Sequence, residues 1–342
     1  MKNILITGGC GFVGSNLSEF LHKKNFNVST LDNLSRNGSY LNLVRLSQMG
    51  IRNYKLDISK KDILNKIKKF DVIIDCCAEA SVQMSRFDMQ KSFDTNLVGT
   101  FNILKKCAAD NSNIIFLSSS RVYSLISLNK IIKNEKILKP LKINKQIDMN
   151  FDTSSPKTLY GFTKLASEEL IKEFSYLYNI KYIINRCGVI SGPWQFGKVD
   201  QGFISFWVWQ HINRKKIKYI GYGGLGHQVR DVLHVNDLCE LIFLQIKNIK
   251  YKNNITYSVG GGLLNAISLS ELTKLCEKIT HNKLKIKKVK KTSAYDVPYF
   301  VTSINKVKSI YKWKPTKNIT DIVYDIFYWQ KNNLNKLKVF FN

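Results

Sequence analysis

Arginine is scarce in this sequence. Only eight of its 53 basic residues are arginine, so lysine carries nearly all of the formal net charge of +28. The lysines are dispersed through surface-type stretches such as "ISKKDILNKIKKF" and "KLKIKKVKK". No arginine-rich arm and no basic stretch interleaved with aromatics appears, so the charge reads as coding bias and not as a nucleic-acid footprint. Histidine is scarcer still. The five histidines form no ligand cluster, and the seven cysteines (Cys10, Cys76, Cys77, Cys107, Cys187, Cys239, Cys276) contain no CxxC pair. A metal site is therefore not expected. Most of the cysteines lie in apolar runs, as free thiols do in a reducing cytoplasm. No stretch reaches the roughly 18 apolar residues of a membrane helix. The first residues, "MKNILITGG", go straight into a strand and a glycine turn, with none of the features of a signal peptide. No internal repeat and no low-complexity tract is present.

What is there begins at residue 3. The apolar run Ile4-Leu5-Ile6 leads into "TGGCGFVGS", with Gly8, Gly11 and Gly14 at three-residue spacing. A helical pattern follows, with Phe12, Val13, Leu17, Phe20 and Leu21 on one face. Strand, glycine turn and helix in that order form the dinucleotide-binding context. The first glycine allows the tight turn, the second lets the backbone approach a pyrophosphate, and the third lets helix and strand pack closely. The main chain around Phe12 and Val13 then offers N–H groups to phosphates. The second strand ends in "LDN". Asp32 lies 18 residues past Gly14, near the roughly 20 expected of the acid that binds the adenosine ribose. A carboxylate there repels a 2′-phosphate and selects NAD, although Arg36 stands close enough in sequence to accept one. Asn33 belongs to the same cofactor-binding turn.

The first half of the chain alternates strands and helices. Expected strands are Asn3–Thr7, Asn27–Leu31, Asn53–Leu56, Val72–Cys76, Ile114–Ser118 and Tyr182–Arg186. Helical patterns cover Thr95–Asp110 and Thr163–Tyr178. This alternation predicts an α/β fold with a Rossmann-type, doubly wound parallel sheet. From about Gly188 aromatic and glycine-rich loops take over, which predicts a smaller C-terminal substrate domain. The expected division is a cofactor domain of 1–187, with 229–248 returning to it, and a substrate domain of 188–228 and 249–342. Residues 124–156 lack periodicity and are long for a connection, as functional lids and disordered loops are.

The chemistry is expected at the ends of these elements. Ser119 stands at the C-terminal end of a parallel strand, where ligands bind in such sheets. Tyr160 and Lys164, in "YGFTK", share one face of a helix. A phenol ordinarily ionises near pH 10. A nearby ammonium and a positively charged nicotinamide both favour its phenolate form. Such a tyrosine can take the proton of a sugar hydroxyl while the carbon gives up hydride, with Ser119 relaying the proton. Gln195, in a glycine-flanked loop before "DQG", is a candidate sugar or nucleotide contact. Trp207 and Trp209 read as core. His234 reads as structural.

Taken together, "TGGCGFVGSN", "LDNLSR", "DTNLVGT", "SSSRVY", "YGFTK", "DQG", "QVRDVLHVNDL" and "YSVGGG" resemble the extended short-chain dehydrogenases/reductases, within the NAD-dependent nucleotide-sugar epimerase/dehydratase group. The resemblance implies that Gly8, Gly11 and Gly14 wrap the NAD pyrophosphate and that Asp32 holds the ribose. It places Asp57 and Ile58 at the adenine, Asn96 on the nicotinamide side and Lys164 on the nicotinamide ribose. Ser119 and Tyr160 would work on the substrate hydroxyl. Arg230 would meet the substrate diphosphate, with Ser120, Arg121 and Gln201 as further substrate contacts. It also implies a homodimer built on the helices that carry Asn96 and Tyr160.

Some positions depart from the pattern. Asp75 stands where relatives often have histidine, and Glu79 where many have glutamine or glycine. Ser120 and Arg121 occupy the places of the Asp-Glu pair that dehydratases of the family use to expel water. Epimerase is the favoured expectation. A 4,6-dehydratase, a keto-sugar reductase and a non-catalytic cofactor-sensing or nucleic-acid-binding Rossmann protein are the alternatives.

Overall fold

The computed structural model describes residues 2–61, 64, 67–80, 87–132, 143–198 and 201–341. The chain divides into two compact units. The first comprises Met1–Val122, Thr158–Arg186 and Leu238–Tyr257; the second comprises Tyr123–Lys157, Cys187–Asp237 and Ser258–Asn342.

The first unit is built on seven strands: β1 (Asn3–Thr7), β2 (Asn27–Leu31), β3 (Arg52–Tyr54), β4 (Val72–Asp75), β5 (Asn113–Ser119), β6 (Tyr182–Cys187) and, at the far edge, Ile255–Val259. The last strand lies beside β6, and the order continues β5-β4-β1-β2-β3. The recorded pairings β1–β2, β1–β4, β2–β3 and β4–β5 are all parallel. Successive side chains of a strand face opposite ways, yet Ile4, Leu5 and Ile6 are all fully buried, as are Ile73 and Ile74 and also Ile114 and Ile115. Both faces are therefore covered, as a parallel sheet requires. One cover is explicit. Leu5, Ile73, Ile114, Phe116 and Ile184 pack with Ile103, Leu104 and Cys107 of the helix Gly99–Asp110 and with Ile171 of the helix Leu159–Tyr178. The Rossmann-type reading of the sequence holds for this unit.

The second unit has its own sheet, in which Val229–His234 is central. It pairs in parallel with Val189–Ser191 and Tyr299–Phe300 and antiparallel with Ala266–Ser268. Its core gathers Trp207, Val208, Leu272, Ile322 and Ile326. Trp209 is buried and stacks on Phe341 with ring centroids 4.6 Å apart.

Two expectations need correction. Residues 229–234 do not return to the main sheet; they form the middle of the smaller one. Residues 255–259, expected in the substrate domain, do the reverse and supply the edge strand of the main sheet. Both strands are short and mix apolar with polar residues, VRDVLH and ITYSV, and so short a run does not state which sheet buries it. The connection after Tyr123 also differs. It contains the helix Leu125–Asn129, and it is stitched into the second unit at Ile147. The Ile147 N–H donates to the Val301 carbonyl at 2.8 Å, and the Ser303 N–H donates to the Ile147 carbonyl at 2.9 Å. The lid or disorder expected of this segment falls partly on residues 133–142, which lie outside the described residues.

Candidate active site

The glycine turn closes β1 and opens helix α1 (Phe12–Lys23). Gly8 has φ +61°, a left-handed value that favours glycine, and its carbonyl accepts the Gly11 N–H at 3.0 Å. Gly14 is needed for contact: a Cβ there would fall 2.2 Å from the Gly8 carbonyl oxygen. Gly11 caps α1 with no side-chain hydrogen bond, and the first turn of the helix holds no acidic residue. A Cβ on Gly11 would meet only the Gly8 oxygen within 4 Å. The turn is thus a shallow cradle beneath a helix N-terminus, and it fits a pyrophosphate. Gly14→Ala should push this turn apart. Purified Gly14→Ala should carry less than a tenth of the dinucleotide of the wild type, read by absorbance after denaturation. Equal nucleotide content would show that the turn yields without cost.

Asp32 sits just beyond β2. Its carboxylate accepts the Cys10 N–H at 3.0 Å and the Leu34 N–H at 2.8 Å. Burial raises its pKa despite those bonds. An acceptor held in that way suits a ribose diol. Cys10, in the glycine turn, is packing and not a nucleophile: burial, reinforced by the Asp32 carboxylate, pushes its thiol up to about 12. Asn33 and Asp57 come together, the Asn33 amide donating to the Asp57 carboxylate at 3.0 Å. The Ile58 side chain lies in the core and its carbonyl accepts from Asn102 at 2.8 Å. Asp75 is fully buried, accepting from Thr7 Oγ1 at 2.6 Å, Thr100 Oγ1 at 3.1 Å and the Cys77 N–H at 3.1 Å. It ties β1 to β4 where the glycine turn begins.

The catalytic candidates share the first unit. Ser119 ends β5, and its hydroxyl accepts the Arg121 N–H at 3.2 Å within the turn Ser120–Val122. Tyr160 and Lys164 lie on the helix Leu159–Tyr178, whose start is capped by the Thr158 hydroxyl on the Gly161 N–H at 3.0 Å. This helix rests on the Ser119 turn without an intervening side chain: a Cβ on Gly161 would stand 2.0 Å from the Arg121 carbonyl oxygen. Lys164 is 1% exposed. Its ammonium lies 4.3 Å from the Phe116 ring centroid and donates to the Cys77 carbonyl at 3.4 Å. Asn96 belongs to a π-helical turn, Asp94–Val98, a distortion found often at functional sites. Its amide accepts the Glu79 N–H at 2.8 Å and donates to Thr163 Oγ1 at 3.2 Å, beside Lys164.

Two positions that hold the site's framework carried no signal that spacing could reveal. Gly161 needed the contact with Arg121. Glu168 needed its partners: it is fully buried and accepts from Ser118 Oγ at 2.5 Å and from Arg186 Nη2 at 2.7 Å.

The substrate candidates are divided. Ser120 and Arg121 belong to the first unit; Gln195, Gln201 and Arg230 belong to the second. Within that unit the Gln195 amide is engaged, accepting from Ser191 Oγ at 2.7 Å and donating to the Ile190 carbonyl at 3.1 Å. Gln201 forms a bridge with Lys198. Arg230 Nη2 donates to Asp296 at 3.1 Å and to the Val297 carbonyl at 2.7 Å. His234 is buried, and its Nδ1 accepts the Asn236 N–H at 3.1 Å. Among the described residues no group of three or more His, Cys, Asp or Glu side chains is arranged to hold a metal, and no helix is long and apolar enough to cross a membrane.

A parallel sheet, a glycine cradle, a buried acid just past the second strand and a buried lysine one turn from a tyrosine define a dinucleotide-dependent enzyme of the Rossmann class. The model of the NAD dependent epimerase/dehydratase family matches residues 4–260, and the chain belongs to that family. NAD is its cofactor. The chain is 29% identical over 340 residues to CDP-paratose 2-epimerase of Salmonella typhi, covering 95% of this chain and 98% of that one. It is 29% identical to a putative UDP-glucose 4-epimerase of Methanocaldococcus jannaschii, covering 96% and 99%. Among solved structures, UDP-glucose 4-epimerase of Thermotoga maritima with UDP-glucose superposes with a TM-score of 0.82 at 22% identity, covering 97% and 99%.

Proposed function

We propose that the protein inverts one carbon of a nucleotide-diphosphate sugar through a transient ketone. The observation that carries this reading is the turn Ser120–Val122, which follows the strand-end Ser119. An elimination of water needs an acid and a base there, and the turn offers a serine and an arginine instead. The proton-handling groups are Ser119, Tyr160 and Lys164, which suit removal and return of a hydroxyl proton. A dinucleotide held by the glycine turn, Asp32 and Lys164 would supply acceptance and return of hydride. Tyr160 takes the hydroxyl proton as the ketone forms and gives it back as the ketone is reduced. Lys164 is proposed to hold the nicotinamide ribose. Ser119 holds the hydroxyl oxygen. The relatives named above act on CDP- and UDP-sugars by their printed names, which supports that substrate class. Gln201 and Arg230 are proposed to meet the substrate, and Gln195 to shape the loop that does so.

The test is incubation with a panel of nucleotide-diphosphate sugars in deuterated water without added cofactor, followed by NMR. A new diastereomer is expected from one of them. Loss of water from the sugar, or a requirement for added NADPH, would replace this reading with the dehydratase or the reductase.

We also propose that the chain works as a homodimer. Phe87 is 84% exposed, and Met89, Phe93, Phe101, Phe162, Tyr176 and Leu177 are exposed as well. They lie on or beside Met89–Phe93, Gly99–Asp110 and Leu159–Tyr178, which pack together. So much apolar surface on neighbouring helices marks an interaction site. Light scattering at micromolar concentration should give twice the 39.4 kDa chain mass, and Phe101→Asp should give the single mass. A monomeric wild type would refute the dimer.

A further inference from the structure

Arg36 and Glu79 take no part in the chemistry above, and they meet. Arg36 Nη2 donates to Glu79 Oε1 at 3.0 Å and to the Ala78 carbonyl at 3.1 Å. Arg36 stands four residues past Asp32, in the loop where an arginine accommodates a 2′-phosphate in NADP-dependent sites. Glu79 follows β4, and in the sheet β1 lies between β4 and β2. The pair therefore reaches from the loop after β2 to the loop after β4, passing over the strand that carries the glycine turn. Glu79 is firmly anchored. Its N–H donates to Asn96 at 2.8 Å and its carbonyl accepts from the same amide at 3.3 Å. The two side chains are 38% and 16% exposed, so solvent screens the pair only in part.

We infer that Glu79 is a cofactor-specificity residue, which holds the Arg36 guanidinium on the β4 side and so denies a 2′-phosphate its counter-charge. Asp32 repels the phosphate, and Glu79 withholds the cation that would offset the repulsion. The inference rests on the NAD-dependent reading of the same site. It also gives a role to the carboxylate at a position where glutamine or glycine was expected.

The experiment measures which nucleotide is retained. Purified protein is brought to exchange equilibrium with excess NAD and NADP together, freed of unbound nucleotide, denatured and analysed by chromatography. The wild type should retain NAD. Glu79→Gln should raise the NADP-to-NAD ratio by roughly fivefold, about what release from one partly exposed ion pair allows. Glu79→Gln combined with Arg36→Met should return the ratio to the wild-type value. Arg36→Met alone should leave it there, which keeps the test alive if Glu79→Gln fails to fold. An unchanged ratio in Glu79→Gln, a rise that survives in the double variant, or a fall in Arg36→Met alone would each overturn the inference. A wild type that retains neither nucleotide would overturn the cofactor reading and the clamp with it.

Discussion

Tyr160→Phe is expected to keep the fold and the bound NAD and to lose turnover by about 10²–10⁴-fold, the usual cost of losing a general acid–base group. The substitution removes one oxygen and leaves the ring, which is 8% exposed in the first unit. Both halves of the reaction use the same oxygen, so the loss should sit at the upper end of that range. Neighbouring variants separate the roles. Ser119→Ala should fall between wild type and Tyr160→Phe, because water can replace part of a relay. Lys164→Met should lower the rate and also weaken NAD retention, because that ammonium is proposed to hold the nicotinamide ribose. Turnover is followed by NMR on an accepted nucleotide sugar, and NAD by absorbance after denaturation. Near-normal turnover in Tyr160→Phe would place the base elsewhere.

The second large effect is on stability. Glu168→Gln should destabilise the protein by about 3–5 kcal/mol, the cost of leaving one member of a buried ion pair without its partner. The Glu168 side chain is fully buried and that of Arg186 is 8% exposed. Arg186 Nε lies 3.1 Å from both carboxylate oxygens. Glutamine keeps the shape but removes the charge, so the guanidinium loses its counter-ion in a dry place. Arg186→Met combined with Glu168→Gln should recover much of the loss, because replacing a whole buried pair with apolar groups is often neutral. Urea unfolding followed by circular dichroism reads both variants. An unchanged midpoint in Glu168→Gln would show that the pair contributes nothing net.

How much was legible in the sequence depended on the range of the cause. β1 and β2 are observed at the expected residues, Asn3–Thr7 and Asn27–Leu31. Their limits are set by local chemistry: apolar runs cut by a glycine turn and by Asp32. The helix of Tyr160 was recognised but begins earlier, at Leu159, because Thr158 caps it. The helix expected over Thr95–Asp110 breaks into a π-helical turn and then an α-helix at Gly99. Apolar spacing does not register that change of pitch. Sheet membership was not legible for Val229–His234 or Ile255–Val259, because a buried strand reads alike in either sheet. The partners of Glu79 and Glu168 lie 43 and 18 residues away along the chain. No local pattern announces such a pair.

The close seat of Gly161 on the Arg121 carbonyl bears on how this chain tolerates recombination with its relatives. Main chain meets main chain there, so no repacking of side chains can absorb a poor match. The β5 turn and the helix of Tyr160 form one heritable block, although residues 123–157, which part them along the chain, belong to the second unit. Exchanging 123–157 alone leaves the block whole. A crossover within 123–157 splits it between two parents whose backbones have drifted apart, and Ser119 and Tyr160 then come from different ancestors.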